Sequence, residues 1–179
     1  MMNIIDQIVF NFTNNKSLYI GEGLTMSEHM IQTAMLAERD NCSEDLICSS
    51  LLHDYGHFVI EDPNQLINHK IDGKHEVIGA NYLKKFFHQN IIEPILLHVE
   101  AKKYLARNKK YFNNLSDASK ISLKVQGGEM SDLEAKKFEQ KKNYKNAIKL
   151  RRFDEGAKQK NIKIKMIEDY KDLLSSKII

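Results

Sequence analysis

The chain has no tryptophan, two cysteines, two prolines and eight glycines in 179 residues. Each scarcity excludes something. Cys42 and Cys48 cannot make a disulfide framework, and their spacing is not that of a CxxC pair, so they are expected as ordinary thiols of a reducing compartment. Only Pro63 and Pro94 interrupt a sequence rich in Lys, Leu, Ile and Glu, which favours helix throughout. No stretch approaches the ~20 apolar residues of a membrane span. The opening residues, Met-Met-Asn-Ile-Ile-Asp-Gln, lack the basic and then apolar pattern of a signal peptide, so a cytoplasmic location is expected. Basic residues number 27 and acidic residues 24, for a net charge of +3. That excess is too small to argue for nucleic acid, and no membrane partner is expected. The length suits one domain, residues 1–179, with a real core.

What is present is helical periodicity with start and stop signals. Ile4, Ile5, Ile8, Val9 and Phe12 recur at helical spacing over 3–13. Thr25 and Glu28 form a capping box, predicting a helix to about Asp40 with His29 on its apolar face. Ser43 opens a helix that carries Leu46, Ile47, Leu51 and Leu52 towards His53-Asp54, with Gly56 expected to end it. Residues 59–74 read as a loop. Helices follow over 74–87, with His75, and 91–105, with His98. Residues 107–116 read as a loop, and a short helix begins near 117. Ser131 and Glu134 make a second capping box. A helix through Ile148 leads to Arg151 and Asp154, and a last one covers about 163–175. No strand, repeat or low-complexity segment is expected, so the fold class is a compact all-α bundle.

The informative residues are His53-Asp54 with His29, His75, His98 and Asp154. A His-Asp dipeptide at a helix end lets two adjacent side chains converge on one ion, and His29 and Asp154 reach the same point from other helices. Imidazole with carboxylate suits iron, manganese, cobalt or zinc. His75 and His98 have a bland reading as packed core histidines. The alternative is a second ion sharing Asp54 as a bridge, which would hold two metals about 3.5–4 Å apart.

These residues resemble the HD-domain superfamily of metal-dependent phosphohydrolases, and beyond that the PhnZ-type subgroup of mixed-valent diiron oxygenases. The resemblance runs from about residue 18 to 170. Four segments carry it: Tyr19 to Glu22; His53 to His57; His98 to Lys102 with Tyr104-Leu105; and Leu115 to Ser119 followed by Gln126-Gly127-Gly128. It implies an HD-domain helical bundle that cleaves the carbon–phosphorus bond of (R)-2-amino-1-hydroxyethylphosphonate with dioxygen, giving glycine and phosphate. It implies two iron ions, Fe(II)/Fe(III), one held by His29, His53, Asp54 and Asp154, the other by Asp54, His75 and His98. It also gives Tyr19 the role of occupying the second iron without substrate, and Glu22 that of pairing with the substrate ammonium. His57, Lys102, Ser119, Ser122 and Arg151 match a phosphonate pocket, with Ser122 standing where the family pattern has threonine. A pathway link to a 2-oxoglutarate-dependent phosphonate hydroxylase is implied in the same way.

The pocket has a physical logic of its own. A phosphonate dianion calls for Arg, Lys and hydroxyl donors. Lys102 lies one helical turn after His98, and Arg151 three residues before Asp154, so each shares a face with a metal ligand. The lysine-rich stretch 136–165 otherwise reads as a solvated helix face. Two rivals use the same ligands: a phosphohydrolase of a nucleotide or phosphomonoester, using a metal-bound hydroxide, and a noncatalytic metal-binding domain. Neither explains Tyr19 and Glu22, because a carboxylate aimed into an anion site must answer a cation on the ligand.

Overall fold

Side-chain caps mark where most helices begin. In the computed structural model, which describes residues 2–19, 21–59 and 74–179, Asn3 caps α1 (Ile4–Asn14) by accepting from the Asp6 amide. Thr25 and Glu28 form the expected capping box at the start of α2 (Met26–Arg39). Ser43 caps α3 (Glu44–Leu52). After α4 (Gly56–Val59) come α5 (His75–Leu83) and the long α6 (Gln89–Ala106), with Pro94 inside it. Asn108 caps α7 (Lys109–Asn114), and Ser116 caps α8 (Asp117–Val125). Ser131 and Glu134 box the start of α9 (Asp132–Glu139), and α10 (Tyr144–Gly156) follows. A 3₁₀ turn (Ile167–Tyr170) runs into α11 (Lys171–Ser175).

The fold is all-α, as the periodicity requires; among the described residues there is no strand, only isolated bridges pairing Leu18 with Thr25 and Phe87 with Ile178. No described helix is long and apolar enough to cross a membrane. Three expectations need correction. Residues 107–116 are not all loop, because Asn108 accepts from the Tyr111 amide and starts a helix. The last helix is a 3₁₀ turn and a short α-helix rather than a run from 163. Gly56 does not end α3, which stops at Leu52; it opens α4. The expected loop over 59–74 falls almost wholly outside the described residues.

Gly56 is there for space. A Cβ on it would lie 2.0 Å from the His75 carbonyl oxygen, and one on Gly79 would lie 2.8 Å from the Gly56 nitrogen. The segment after His53-Asp54 therefore meets α5 backbone to backbone. Helix α6 packs on α3, α5 and α10, while α2 packs on α3 and α10. Met30, Ala34, Leu51, Leu52, Tyr55, Leu83, Ile91 and Ile95 fill the core between them. Ser49 Oγ donates to the Ile91 carbonyl at 2.9 Å, pinning α3 to α6 behind the site.

Candidate metal centre

The six residues expected as ligands come together from α2, the end of α3, α5, α6 and α10. Donor atoms of His29, His53 and Asp154 all lie within 4.8 Å of one another, and so do those of Asp54, His75 and His98. Asp54 faces both groups with different oxygens. Its Oδ2 is 3.7 Å from His29 Nε2 and 3.4 Å from His53 Nε2; its Oδ1 is 3.2 Å from His75 Nε2 and 3.5 Å from His98 Nε2.

The backbone sets how the histidines present themselves. His29 Nδ1 is 2.9 Å from the Ala157 carbonyl, His53 Nδ1 2.9 Å from that of Ser50, and His98 Nδ1 2.7 Å from that of Ile95. A carbonyl can only accept, so each Nδ1 carries the proton and each Nε2 is left with a lone pair. Yet His29 Nε2 and His53 Nε2 lie 3.2 Å apart, and His75 Nε2 and His98 Nε2 lie 3.1 Å apart. The facing lone pairs of His29 and His53 need a cation between them, whereas no carbonyl among its described contacts fixes His75, so its pair with His98 can also close as a hydrogen bond. Asp154 Oδ1 points to the same conclusion: it is buried, without a hydrogen-bond partner, 3.3 Å from His29 Nε2. The donor set fits two metal ions bridged by Asp54, each bound by imidazole and carboxylate.

Without metal, protons must separate these groups. Burial alone would lower the His53 imidazole, but Asp54 and then Asp154 hold it up to about 9. Burial likewise opposes ionisation of Asp54 and Asp154. His53 together with His75 in one case, and the Arg151 guanidinium together with His29 and His53 in the other, keep both well below the usual carboxylate range. His57 behaves oppositely: burial, then the charge of His75, lowers it to about 3, so it is a neutral imidazole stacked 4.5 Å from His75.

Tyr19 and Glu22 are delivered by a tight turn. The Tyr19 amide donates to the Leu24 carbonyl at 2.8 Å, and Gly21 and Gly23 take φ of 78° and 70°, the left-handed region that favours glycine. Any Cβ on Gly21 would also crowd Ala118 of α8 at 3.2 Å. The turn feeds directly into the capping box of α2, so Tyr19 stacks on His29, with centroids 3.9 Å apart and planes within 9°. Burial and the charges of Asp154 and Asp54 push the Tyr19 phenol well up, so it stays protonated.

The expected anion residues adjoin the metal groups but are paired within the protein. Lys102 Nζ donates to Ser122 Oγ at 3.0 Å. Arg151 is buried, ion-paired to Asp154 and Glu155, and donates to Tyr111 Oη at 3.0 Å and Ser119 Oγ at 3.2 Å. Glu22 accepts from Ser116 Oγ at 2.5 Å and lies 3.1 Å from Lys158 Nζ. Sequence reasoning missed Ser116, Glu155 and Lys158. The last two were counted with the solvated charges of 136–165, yet the Lys158 side chain is only 9% exposed. Their proximity to Asp154, at one and four residues, was the available signal.

Comparison with known proteins agrees with this arrangement. The HD domain family matches residues 26–155. A hydroxymethylphosphonate dioxygenase of Gimesia maris is 42% identical over 155 residues, covering 85% of this chain and 77% of that protein. A [1-hydroxy-2-(trimethylamino)ethyl]phosphonate dioxygenase (glycine-betaine-forming) of Leisingera caerulea is 44% identical over 142 residues, 79% of this chain and 72% of that one. An uncharacterized protein of Acanthamoeba polyphaga mimivirus is 36% identical over 184 residues, covering 96% and 84%. With two bridged His/Asp groups inside a matching HD domain and phosphonate dioxygenases among its relatives, the chain belongs to the HD-domain family, in its PhnZ-type oxygenase branch.

Proposed function

We propose that the protein is a diiron oxygenase that cleaves the carbon–phosphorus bond of a 1-hydroxyphosphonate. The observation that carries this reading is Asp54, whose two oxygens address two separate histidine groups beside a cluster of Lys, Arg and Ser. The two relatives named for phosphonates are both dioxygenases of hydroxyphosphonates, one without and one with an ammonium substituent. The family resemblance adds (R)-2-amino-1-hydroxyethylphosphonate as a third possible substrate of the class.

The reaction balances simply. The carbon bearing phosphorus is oxidised to a carboxylic acid, dioxygen is the oxidant, and the acid and inorganic phosphate together contain all atoms of substrate and dioxygen. A pair of iron ions held by His29, His53, Asp54, Asp154, His75 and His98 would supply dioxygen activation and redox chemistry. The chain's own residues do the rest. Lys102, Ser119 and Ser122, with His57 as a neutral imidazole, hold the phosphonate by charge-assisted and hydroxyl contacts. Arg151 fixes Asp154 and adds positive charge behind the phosphonate. Tyr19 stacks flat on His29, and the family resemblance gives it the role of occupying the second iron when substrate is absent. The hydroxylated substrate implies an upstream phosphonate hydroxylase, in keeping with the 2-oxoglutarate-dependent class.

Iron-loaded protein given hydroxymethylphosphonate and 2-amino-1-hydroxyethylphosphonate in separate assays should release phosphate with matching oxygen uptake. Phosphate release that continues under anaerobic conditions would instead establish a hydrolase.

A further inference from the structure

Glu22 is the one carboxylate on the Tyr19 turn that could meet a cation on the substrate, and the protein already supplies that cation. Lys158 follows α10, one residue after the Ala157 carbonyl that orients His29. Its Nζ donates to Ser116 Oγ at 2.8 Å, to Ser119 Oγ at 2.9 Å and to Glu155 Oε1 at 3.1 Å, and it lies 3.1 Å from Glu22 Oε1. It also lies 5.8 Å from the centroid of the Tyr19 ring. The hydroxyls keep this polarity consistent: Ser116 donates a hydrogen bond to Glu22, and Ser119 donates one to Glu155 at 2.8 Å. Four oxygens therefore surround three N–H groups, and both members of the Glu22–Lys158 pair are about nine-tenths buried, at 11% and 9% exposed.

Every charge along this wall is paired: Lys158 with Glu22 and Glu155, and Arg151 with Glu155 and Asp154. A substrate ammonium seeking Glu22 would meet Lys158 already on that carboxylate, at Oε1. It would have to displace Lys158 from four contacts or share the carboxylate with a like charge in a poorly solvated place, and both are unfavourable. A substituent with no charge meets a wall that is already paired.

We propose that Lys158 is a built-in counter-ion for Glu22 that sets substrate specificity, so that the pocket selects hydroxyphosphonates lacking a cationic substituent. This rests on the oxygenase reading above and adds to it a specificity-determining residue that does not touch the reacting atoms.

The test compares hydroxymethylphosphonate with 2-amino-1-hydroxyethylphosphonate, both as substrates and, anaerobically, as ligands measured by calorimetry on iron-loaded protein. Wild type should favour the ammonium-free compound. In Lys158→Met the ratio of kcat/KM values, and the ratio of affinities, should move towards the amino compound by about tenfold or more, about 1.4 kcal/mol. Lys158→Arg should keep the wild-type preference. Should Lys158→Met not fold by circular dichroism, Lys158→Gln, which retains hydrogen bonding to Ser116 and Ser119, makes the same comparison. Ligands that bind with the expected ratios but are never oxidised would remove the oxygenase reading and leave the Lys158 inference standing. A wild type that prefers the amino compound, or a ratio unchanged in both uncharged variants, overturns the inference even if oxygenation is robust.

Discussion

Gly56→Ala is a sharp test of how the second metal position is built, because it adds one methyl group and replaces no ligand. The added Cβ would start 2.0 Å from the His75 carbonyl oxygen, against 3.4 Å for the near edge of ordinary contact, so α5 has to retreat by about 1.4 Å at its first residue. That residue is His75, whose Nε2 must stay near Asp54 Oδ1 and His98 Nε2, now 3.2 and 3.1 Å away. Metal–ligand distances tolerate about 0.2 Å, so a shift of this size removes His75 from coordination. His29, His53 and Asp154 are on other elements and are not pushed. The expected outcome is a folded protein with one metal ion per chain instead of two and no oxygen uptake. Overpacking costs about 1–3 kcal/mol, and for a chain of 150–250 residues each kcal/mol lowers Tm by about 2–4 °C. Alanine's better helix propensity, about 1 kcal/mol over glycine, offsets part of this. Gly79→Ala, whose Cβ would start 2.8 Å from the Gly56 nitrogen, should err in the same direction but less. Elemental analysis, melting curves and oxygen-electrode assays on the two variants decide it. A Gly56→Ala protein with two metals and wild-type turnover would refute the argument.

Asp54→Asn should weaken both metal positions, whereas His75→Ala should empty one, and metal titration of the two proteins separates these patterns. Lys102→Ala should raise KM for a hydroxyphosphonate by the loss of a charge-assisted contact of about 1.5–3 kcal/mol; an unchanged KM would return Lys102 to a structural role with Ser122. Asp154 has a depressed pKa in the folded state: burial pulls it upward, but Arg151, with His29 and His53, together outweigh that pull. Around the ordinary carboxylate pKa of about 3.9 the folded state thus binds fewer protons than the unfolded one, so this stabilisation is present above that pH and is lost on acidification. Arg151→Met should therefore move the acid-unfolding midpoint of metal-free protein upward, read by circular dichroism. Burial pushes the Cys48 thiol up to about 12, while Cys42 is only partly buried. Iodoacetamide at about pH 8 should label Cys42 and spare Cys48 until the chain is unfolded, as peptide mapping would show.

The approach of His29 to His53-Asp54 was legible because α2 and α3 open on strong side-chain caps, whereas α5, α6 and α10 begin without one and were placed by periodicity and resemblance. Thr25 and Glu28 fixed α2 and hence the face carrying His29; Ser43 fixed α3 and the exit at His53-Asp54. Helix α7 was missed because only Asn108 announces it in a run of Lys, Tyr, Phe and Asn. Gly56 was read as a stop, since a glycine after a helix is commonest as a C-cap, but its reason is contact with a residue nineteen positions later, which no local pattern encodes. Lys158 and Glu155 were hidden for a similar cause. Charged residues at a helix end are usually solvated, and only the approach of the Tyr19 turn and Ser116 encloses these two.

The carbonyl acceptors behind His29, His53 and His98 bear on how such a protein can change. Every amino acid carries a carbonyl, so no substitution at Ala157, Ser50 or Ile95 deletes the group that fixes each imidazole. The pocket wall is the reverse case, since Glu22, Ser116, Ser119, Glu155 and Lys158 act wholly through side chains. The orientation of these three imidazoles is thereby insulated from drift, while single-base changes can rewrite the wall. An engineer seeking new phosphonate substrates has the same division to exploit: randomise the wall and leave the helix backbones alone.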